Sequence, residues 1–134
     1  MSTIKRVDHI GIAVENIEQA AAFYCEALGM TLDHVTTVES QGVRVAFLPA
    51  GESAIELLEP LSEQSNMKKF LEKRGEGIHH LCLEVDDIQA ALERLAAAGY
   101  QLIDKAPVQG AHGKVAFVHP KSAHGVLLEL TEHH

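Results

Sequence analysis

Short runs of alternating hydrophobic and polar residues, typical of half-buried strands, occur along the chain between stretches with helical periodicity. The first run ends near Asn16, and the next stretch places Ile17, Ala20, Tyr24 and Leu28 on one side of a helix. Three further strand-like runs follow: Leu32–Val38, Val43–Leu48 and Ala54–Glu59. The first half of the chain therefore predicts the element order βαβββ.

The second half repeats this order. Asp87 corresponds to Asn16 as a predicted helix N-cap, and Gly99 corresponds to Gly29 where the helix would end. Three strands are again predicted after the helix: Gln101–Lys105, Lys114–His119 and Val126–Thr131. We predict one α+β domain over residues 1–134, made of βαβββ modules at about 4–60 and 76–132 and connected by a helical segment at about 62–75.

The repeat is positional as well as compositional. The stretch from His9 to Ile17 matches the stretch from His80 to Ile88 at a constant offset of 71 residues. Strand alternation places His9, with Gly11 and Ala13, on the face opposite the helix-packing residues. His80 is expected at the equivalent place in the second module.

The last strand of each module carries a glutamate between apolar neighbours. Glu56 lies between Ile55 and Leu57, and Glu129 lies 73 positions later in the same kind of setting. Because burial of an unpaired carboxylate is costly, a nearby cation is the natural explanation.

Two imidazoles and two carboxylates in equivalent places predict a mixed nitrogen and oxygen site for one divalent ion: cobalt, manganese, nickel or zinc. The predicted ligands are His9, Glu56, His80 and Glu129. A lone strand histidine is more often a hydrogen-bonded core residue. Its recurrence together with the glutamates favours the metal site.

Charge and composition exclude several classes of partner. The net charge of −8, with only eleven Lys and Arg residues, does not favour nucleic-acid binding. Neither a signal peptide nor an apolar run long enough to span a bilayer is evident, so we expect a cytoplasmic protein without a membrane partner. Cys25 and Cys82 show no CxxC spacing and are predicted to be buried thiols.

These residues resemble the vicinal oxygen chelate superfamily and, within it, the methylmalonyl-CoA epimerase family. The segments that carry the resemblance are Val7–Val14, Ile55–Pro60, Gly77–Leu81, His119–Lys121 and Gly125–Leu130. The resemblance implies a glyoxalase-like half-open barrel, a homodimer and a metal-dependent enzyme. Its substrate would be a small acyl-CoA, the (R) and (S) epimers of methylmalonyl-CoA.

Epimerisation at C2 requires two acid/base groups on opposite faces of the carbon. Some relatives carry a proposed glutamate base where this chain has Val45, so the second base is left open. Glu129 is the first expected base, by analogy with the ligand glutamates of glyoxalase I, and Glu56 is the second. Alternatively, both stay simple ligands and the second proton comes through water or Gln41.

Substrate contacts are expected from basic and polar residues near the mouth of the site, where they would anchor the phosphates of CoA. The candidates are Gln41, Arg44, His112, Lys114, Lys121 and Ser122. For the charged residues among them, a solvated surface position is an equal alternative.

Three other functions are compatible with the same modules. A glyoxalase I-type lactoylglutathione lyase uses the same ligand pattern, and a non-enzymatic ligand-sequestering protein uses the same fold without metal. A dioxygenase would need iron(II) with an open position that Glu56 would occupy. The segments Glu56–Pro60 and Pro120–Ser122 and the loop Gly110–Lys114 favour the epimerase.

Overall fold

The computed structural model describes residues 2–133, and Met1 and His134 lie outside them. Its strands are β1 Ile4–Ala13, β2 His34–Val38, β3 Val43–Ala50, β4 Ser53–Pro60, β5 Gly77–Val85, β6 Val108–Gln109, β7 Gly113–Val118 and β8 Leu128–His133. Its α-helices are α1 Ile17–Ala21, α2 Asn66–Arg74 and α3 Ile88–Ala97. Among the described residues, no helix combines the length and apolar character needed to cross a membrane.

Contacts divide the chain into two compact units whose boundaries fall inside two strands. The first unit comprises Ile10–His79, and the second comprises the residues up to His9 and from His80 onward. The beginning of β1 therefore belongs to the second unit and its end to the first. That residues 1–134 form one domain stays a prediction.

The first unit is built on strands in the order β2-β3-β4-β1. β2, β3 and β4 are antiparallel neighbours, and their register places Phe47 directly opposite both His34 and Glu56. One hydrophobic cluster packs β3 and β4 against Met67 and Leu71 of α2. The strand register aligns the side chains of His34, Phe47 and Glu56 on one face of the sheet.

The helix after β1 differs from its prediction in its second half. Asn16 caps α1 as predicted, because its side chain accepts a hydrogen bond from the Gln19 N–H at 2.9 Å. From Ala22 to Ala27 the helix widens into π geometry, in which the Leu28 N–H donates to Phe23 O. The wider turn rotates later residues, so Leu28 is 59% exposed and the expectation that it packs with Ile17 is wrong.

The second unit has the strand order β1-β5-β8-β7-β6. β5 and β8 are parallel with Cys82 opposite Glu129, and β7 runs antiparallel to β8 with Phe117 opposite Glu129. The apolar residues of α3, including Ile88 and Leu92, pack on the other side of these strands. This packing confirms the predicted separation of a helix-covered face from the face that carries His80.

The strand predicted over Gln101–Lys105 is wrong. Only one bridge, Leu102 to Val118, is formed there, and the short β6 lies further along the chain. Asp104 explains the break, because its carboxylate accepts the Phe117 N–H at 2.8 Å in place of a strand carbonyl. The chain therefore turns away after one bridge.

A second glutamate of each module's last strand holds the start of that module's helix. Glu59 accepts a hydrogen bond from the Ile17 N–H at 2.9 Å, and Glu132 accepts one from the Ile88 N–H at 2.9 Å. Both bonds satisfy a helix-start N–H that has no acceptor within the helix. The carboxylates also lie at the positive end of the helix dipole, which favours them there.

Candidate metal centre

Three side chains of the second unit converge on one point. His9 is on β1, His80 on β5 and Glu129 on β8. His9 Nε2 lies 3.0 Å from His80 Nε2 and 3.1 Å from Glu129 Oε1, and His80 Nε2 lies 3.0 Å from the same oxygen. All three residues are buried, with exposures of 5–6%. Three of the four predicted ligands are thus brought together.

The charge of this cluster is concentrated on Glu129. Burial by itself raises the pKa of this carboxyl, but the His80 and His9 imidazoles beside it lower the pKa to about 2. Among the described residues, Oε1 of Glu129 receives no hydrogen bond of good geometry although it is buried. A buried carboxylate oxygen aimed at two imidazole nitrogens needs a cation that all three donors can share.

The donor spacing fits a metal ion. Cis ligands about 2.1 Å from an octahedral ion are separated by about 3.0 Å, which matches the spacing of these three atoms. Two imidazole nitrogens and one carboxylate oxygen form a set that suits first-row divalent metals. The residues present therefore fit the predicted ion.

Asp8 connects His9 to a second group of charged side chains. One oxygen of Asp8 lies 2.7 Å from His9 Nδ1, and the other lies 2.5 Å from His133 Nε2. Arg6 approaches Asp8 at 3.6 Å and Glu84 at 2.7 Å. Burial opposes ionisation of Asp8, but His9 and His133 lower its pKa below the ordinary value. Sequence reasoning did not identify Asp8 or His133.

Phe117 contacts the centre from β7. It lies opposite Glu129 in the strand register, and its ring meets the His80 ring edge to face at 5.6 Å. Phe47 has the matching position opposite Glu56 in the first unit. A further repeat in the sequence would have shown this pair, because Arg44–Leu48 corresponds to Lys114–Val118 at an offset of 70 residues.

Glu56 lies on β4 of the first unit, so its place as a fourth ligand stays a prediction. Val45 is buried in the hydrophobic cluster of that unit, with 3% exposure. It offers no group that could transfer a proton. Gln41 ends a short 3₁₀ turn before β3.

Arg44 lies in an open groove of the first unit, where it contacts two carboxylates. Its guanidinium nitrogens lie 3.1 Å from Glu18 Oε2 and 3.3 Å from Glu59 Oε2. The groove is also lined by Glu63 and Lys68. A phosphate would have to compete with these ion pairs for Arg44.

The remaining predicted substrate contacts lie in the second unit. His112 and Lys114 are exposed, in the turn before β7 and on β7 itself. Lys121 is exposed and donates its backbone N–H to His119 Nδ1 at 3.0 Å. The Ser122 hydroxyl accepts the Gln101 N–H at 2.7 Å, so it has a structural role in the loop. Their substrate roles stay predictions.

The free thiols agree with the sequence analysis in part. Neither cysteine forms a disulfide, and Cys82 is buried beside the centre. Burial raises the pKa of the Cys82 thiol. Cys25 is half-buried, so the expectation of burial holds in full only for Cys82.

The sequence model of the Glyoxalase/Bleomycin resistance protein/Dioxygenase superfamily matches residues 8–117 of the chain. The chain belongs to this superfamily. The predicted fold class, α+β with two βαβββ modules of the vicinal-oxygen-chelate type, is thereby confirmed.

Individual relatives cover nearly the whole chain. It is 46% identical over 130 residues to the uncharacterized protein YqjC of Bacillus subtilis, across 96% of this chain and 93% of the relative. It is 45% identical over 132 residues to the ethylmalonyl-CoA/methylmalonyl-CoA epimerase of Cereibacter sphaeroides, across 96% of this chain and 98% of the relative. A solved methylmalonyl-CoA epimerase in complex with methylmalonyl-CoA and NH4+ matches with a TM-score of 0.91 and 36% identity. That match covers 98% of this chain and 96% of the other.

Proposed function

We propose that this chain interconverts the (R) and (S) epimers of methylmalonyl-CoA by removing and returning the proton at C2, in a metal-dependent reaction. The observation that carries the proposal is the buried, converging set of His9, His80 and Glu129. Similarity to epimerases over nearly the whole chain supports the substrate.

His9, His80 and Glu129 would hold the divalent ion, with Glu56 as the predicted fourth ligand. When bound, such an ion supplies a Lewis acid that stabilises negative charge on the thioester and carboxylate oxygens next to C2. Cobalt, manganese, nickel and zinc all suit two imidazoles and carboxylate oxygen.

Glu129 is the proposed first acid/base group. Its pKa of about 2 means that the carboxylate is ionised at neutral pH, as a base must be before it accepts a proton. Glu129 is buried, and Phe117 lies opposite it in the strand register, so few water molecules can compete with the substrate for the carboxylate.

Glu56 is the proposed second acid/base group. Inversion needs a donor on the opposite face of C2. Val45 cannot supply one, and its burial in an apolar cluster removes that position from consideration. Glu56 lies opposite Phe47 in its unit as Glu129 lies opposite Phe117, so the repeat supports equivalent surroundings for the two carboxylates.

The acyl-CoA would be held by exposed cations of the second unit. Lys114 and Lys121 are both exposed and can reach phosphate groups as flexible point charges. His112 and Gln41 are proposed as additional polar contacts. Arg44 and Ser122 are weaker candidates, because each already has hydrogen-bonding partners within the protein.

Product analysis with two substrates tests the proposal. Purified protein loaded with cobalt(II) would be given (S)-methylmalonyl-CoA in one reaction and the glutathione hemithioacetal of methylglyoxal in another. The proposal predicts formation of the (R) epimer and no lactoylglutathione. The opposite result would assign the lyase function, and stoichiometric substrate binding without turnover of either would assign a sequestering protein.

A further inference from the structure

We propose that Asp8 and His133 are positioning residues for His9, and that together they fix the imidazole tautomer that presents Nε2 to the metal. The inference rests on the proposed metal site and adds to it two residues that are not ligands. A positioning residue acts through the ligand it orients, so its effect appears in metal affinity and in the state of that ligand.

The contact between Asp8 and His9 determines which nitrogen carries the proton. Oδ2 of Asp8 lies 2.7 Å from His9 Nδ1. An ionised carboxylate only accepts hydrogen bonds, so Nδ1 must be the protonated nitrogen. An imidazole that binds a metal is neutral, so with Nδ1 protonated its lone pair would be on Nε2, the atom that faces His80 and Glu129.

His133 holds the other oxygen of the same carboxylate. Its Nε2 lies 2.5 Å from Asp8 Oδ1, so each oxygen of the carboxylate is hydrogen-bonded to an imidazole. The Asp8 side chain is 12% exposed and that of His9 is 7% exposed, so the bond between Asp8 and His9 is shielded from water. A carboxylate bonded through both oxygens cannot rotate freely, and its orientation transfers to the His9 ring.

Charged neighbours keep this carboxylate from serving a second cation. Arg6 reaches Asp8 at 3.6 Å and Glu84 at 2.7 Å, and Lys5 reaches Glu84 at 3.8 Å. Asp8, Glu84 and His133 could otherwise be taken for an independent metal site. With two basic side chains already among them, support of His9 is the role that the geometry favours.

The internal repeat breaks at these two residues. By the offsets of the repeat, Asp8 corresponds to His79 and His133 corresponds to Pro60. His79 has no carboxylate and Pro60 has no imidazole, so the two counterparts cannot form the same pair of contacts. The pair is therefore found on the His9 side alone and is not one of the features that the two modules share.

Metal affinity and histidine tautomer test the proposal together. Cobalt(II) affinity would be measured by chelator competition for the wild type, Asp8→Asn, His133→Ala and His133→Gln. We expect Asp8→Asn to weaken binding by about 10–100-fold and His133→Ala to weaken it by less. His133→Gln, whose amide N–H can still donate to Asp8, should retain most of the affinity.

The tautomer readout uses ¹⁵N-histidine NMR of the metal-free proteins. The wild type should show His9 protonated at Nδ1, and Asp8→Asn should lose this preference. Asp33→Asn is the matched control, because Asp33 and His34 form the same contact between neighbouring residues, at 2.6 Å, at the more exposed start of β2 in the first unit. It should leave both cobalt(II) affinity and the His9 signal unchanged.

The outcomes separate this inference from the metal site itself. Should the wild type bind cobalt(II) while Asp8→Asn and His133→Ala bind within twofold of it, the positioning role is wrong and the site stands. Absence of cobalt(II) binding by the wild type would overturn the metal site. The NMR comparison of the wild type with Asp8→Asn would then show whether Asp8 determines the tautomer of His9. If Asp8→Asn does not fold, the two His133 variants carry the test.

Discussion

At the scale of single residues, the chemistry depends on how Glu129 stays ionised in a buried place. Burial opposes its charge, and the two imidazoles compensate for that cost so that its pKa falls to about 2. A shared metal ion would supply the same compensation more fully. An ionised carboxylate buried at this position without a positive partner would be unfavourable, whereas one that shares a bound cation is stabilised.

Asp86 shows the same physics on the surface and gives a prediction for pH. The Thr3 backbone N–H and the Ser2 hydroxyl donate to its carboxylate, and these bonds lower its pKa from the ordinary 3.8. Because the folded pKa is depressed, the stabilisation is present above 3.8 and is lost as pH falls through the folded value.

We therefore expect Asp86→Asn to lower the free energy of unfolding at pH 7, and the difference from wild type to shrink progressively on acidification below pH 4. Urea unfolding across this pH range measures it. Glu26→Gln, which removes an exposed charge elsewhere, is the control. A difference that persists unchanged to the lowest accessible pH would refute the linkage.

The sequence predicted three of the converging side chains, but not the two residues that are proposed to position His9. His9, His80 and Glu129 were identifiable because repetition at fixed offsets made chance unlikely. Asp8 was not, because strand alternation places neighbours on opposite faces while the side chain still reaches His9 Nδ1. His133 was not singled out from the sequence either, although it ends β8 and bonds Asp8.

At the scale of elements, the helix of each module, α1 or α3, begins with an N–H that is hydrogen-bonded to the last strand of the same module. Glu59 and Glu132 accept the first helical N–H of α1 and α3, beyond the caps supplied by Asn16 and Asp87. The caps were predicted from sequence, whereas the strand glutamates were not. A tertiary hydrogen bond of this kind leaves no local pattern, because its partners are 42 and 44 residues apart.

Glu132→Ala is expected to reduce the free energy of unfolding by about 1 kcal/mol, because the Ile88 N–H loses its acceptor. Glu132→Gln keeps an oxygen acceptor and should cost less. The control is Glu93→Ala on α3, the helix whose first N–H Glu132 accepts. This change removes only a surface contact with Gln89 worth about 0.2–0.5 kcal/mol. Equal losses for Glu132→Ala and Glu93→Ala in chemical denaturation would contradict the role of Glu132.

At the scale of the whole molecule, duplication explains why so much of the fold was predictable. Two copies of each signal supported the βαβββ order, and the superfamily match confirms it. The unit boundaries inside β1 and β5 were not predictable, because they depend on which residues pack together after folding. The strand predicted over Gln101–Lys105 failed where a side-chain acceptor replaced a backbone partner.

The proposed homodimer is a prediction at this scale. Exposed apolar side chains in both units, Phe23 and Leu28 in the first and Tyr100 in the second among them, offer surface that association could bury. Sedimentation equilibrium should give about twice the mass of one chain at micromolar concentration. A single species with the mass of one chain under those conditions would show that the dimer is not formed.

Deuterium incorporation at C2 of methylmalonyl-CoA in D₂O is the most direct test of the metal-dependent epimerase. Metal-loaded wild type and the surface control Glu93→Gln should exchange C2 hydrogen and interconvert the epimers. Chelator-treated protein and Glu129→Gln should be slower by about 100-fold or more, because each lacks part of the acid/base and metal machinery. No exchange above background with any of cobalt, manganese, nickel or zinc would contradict the account.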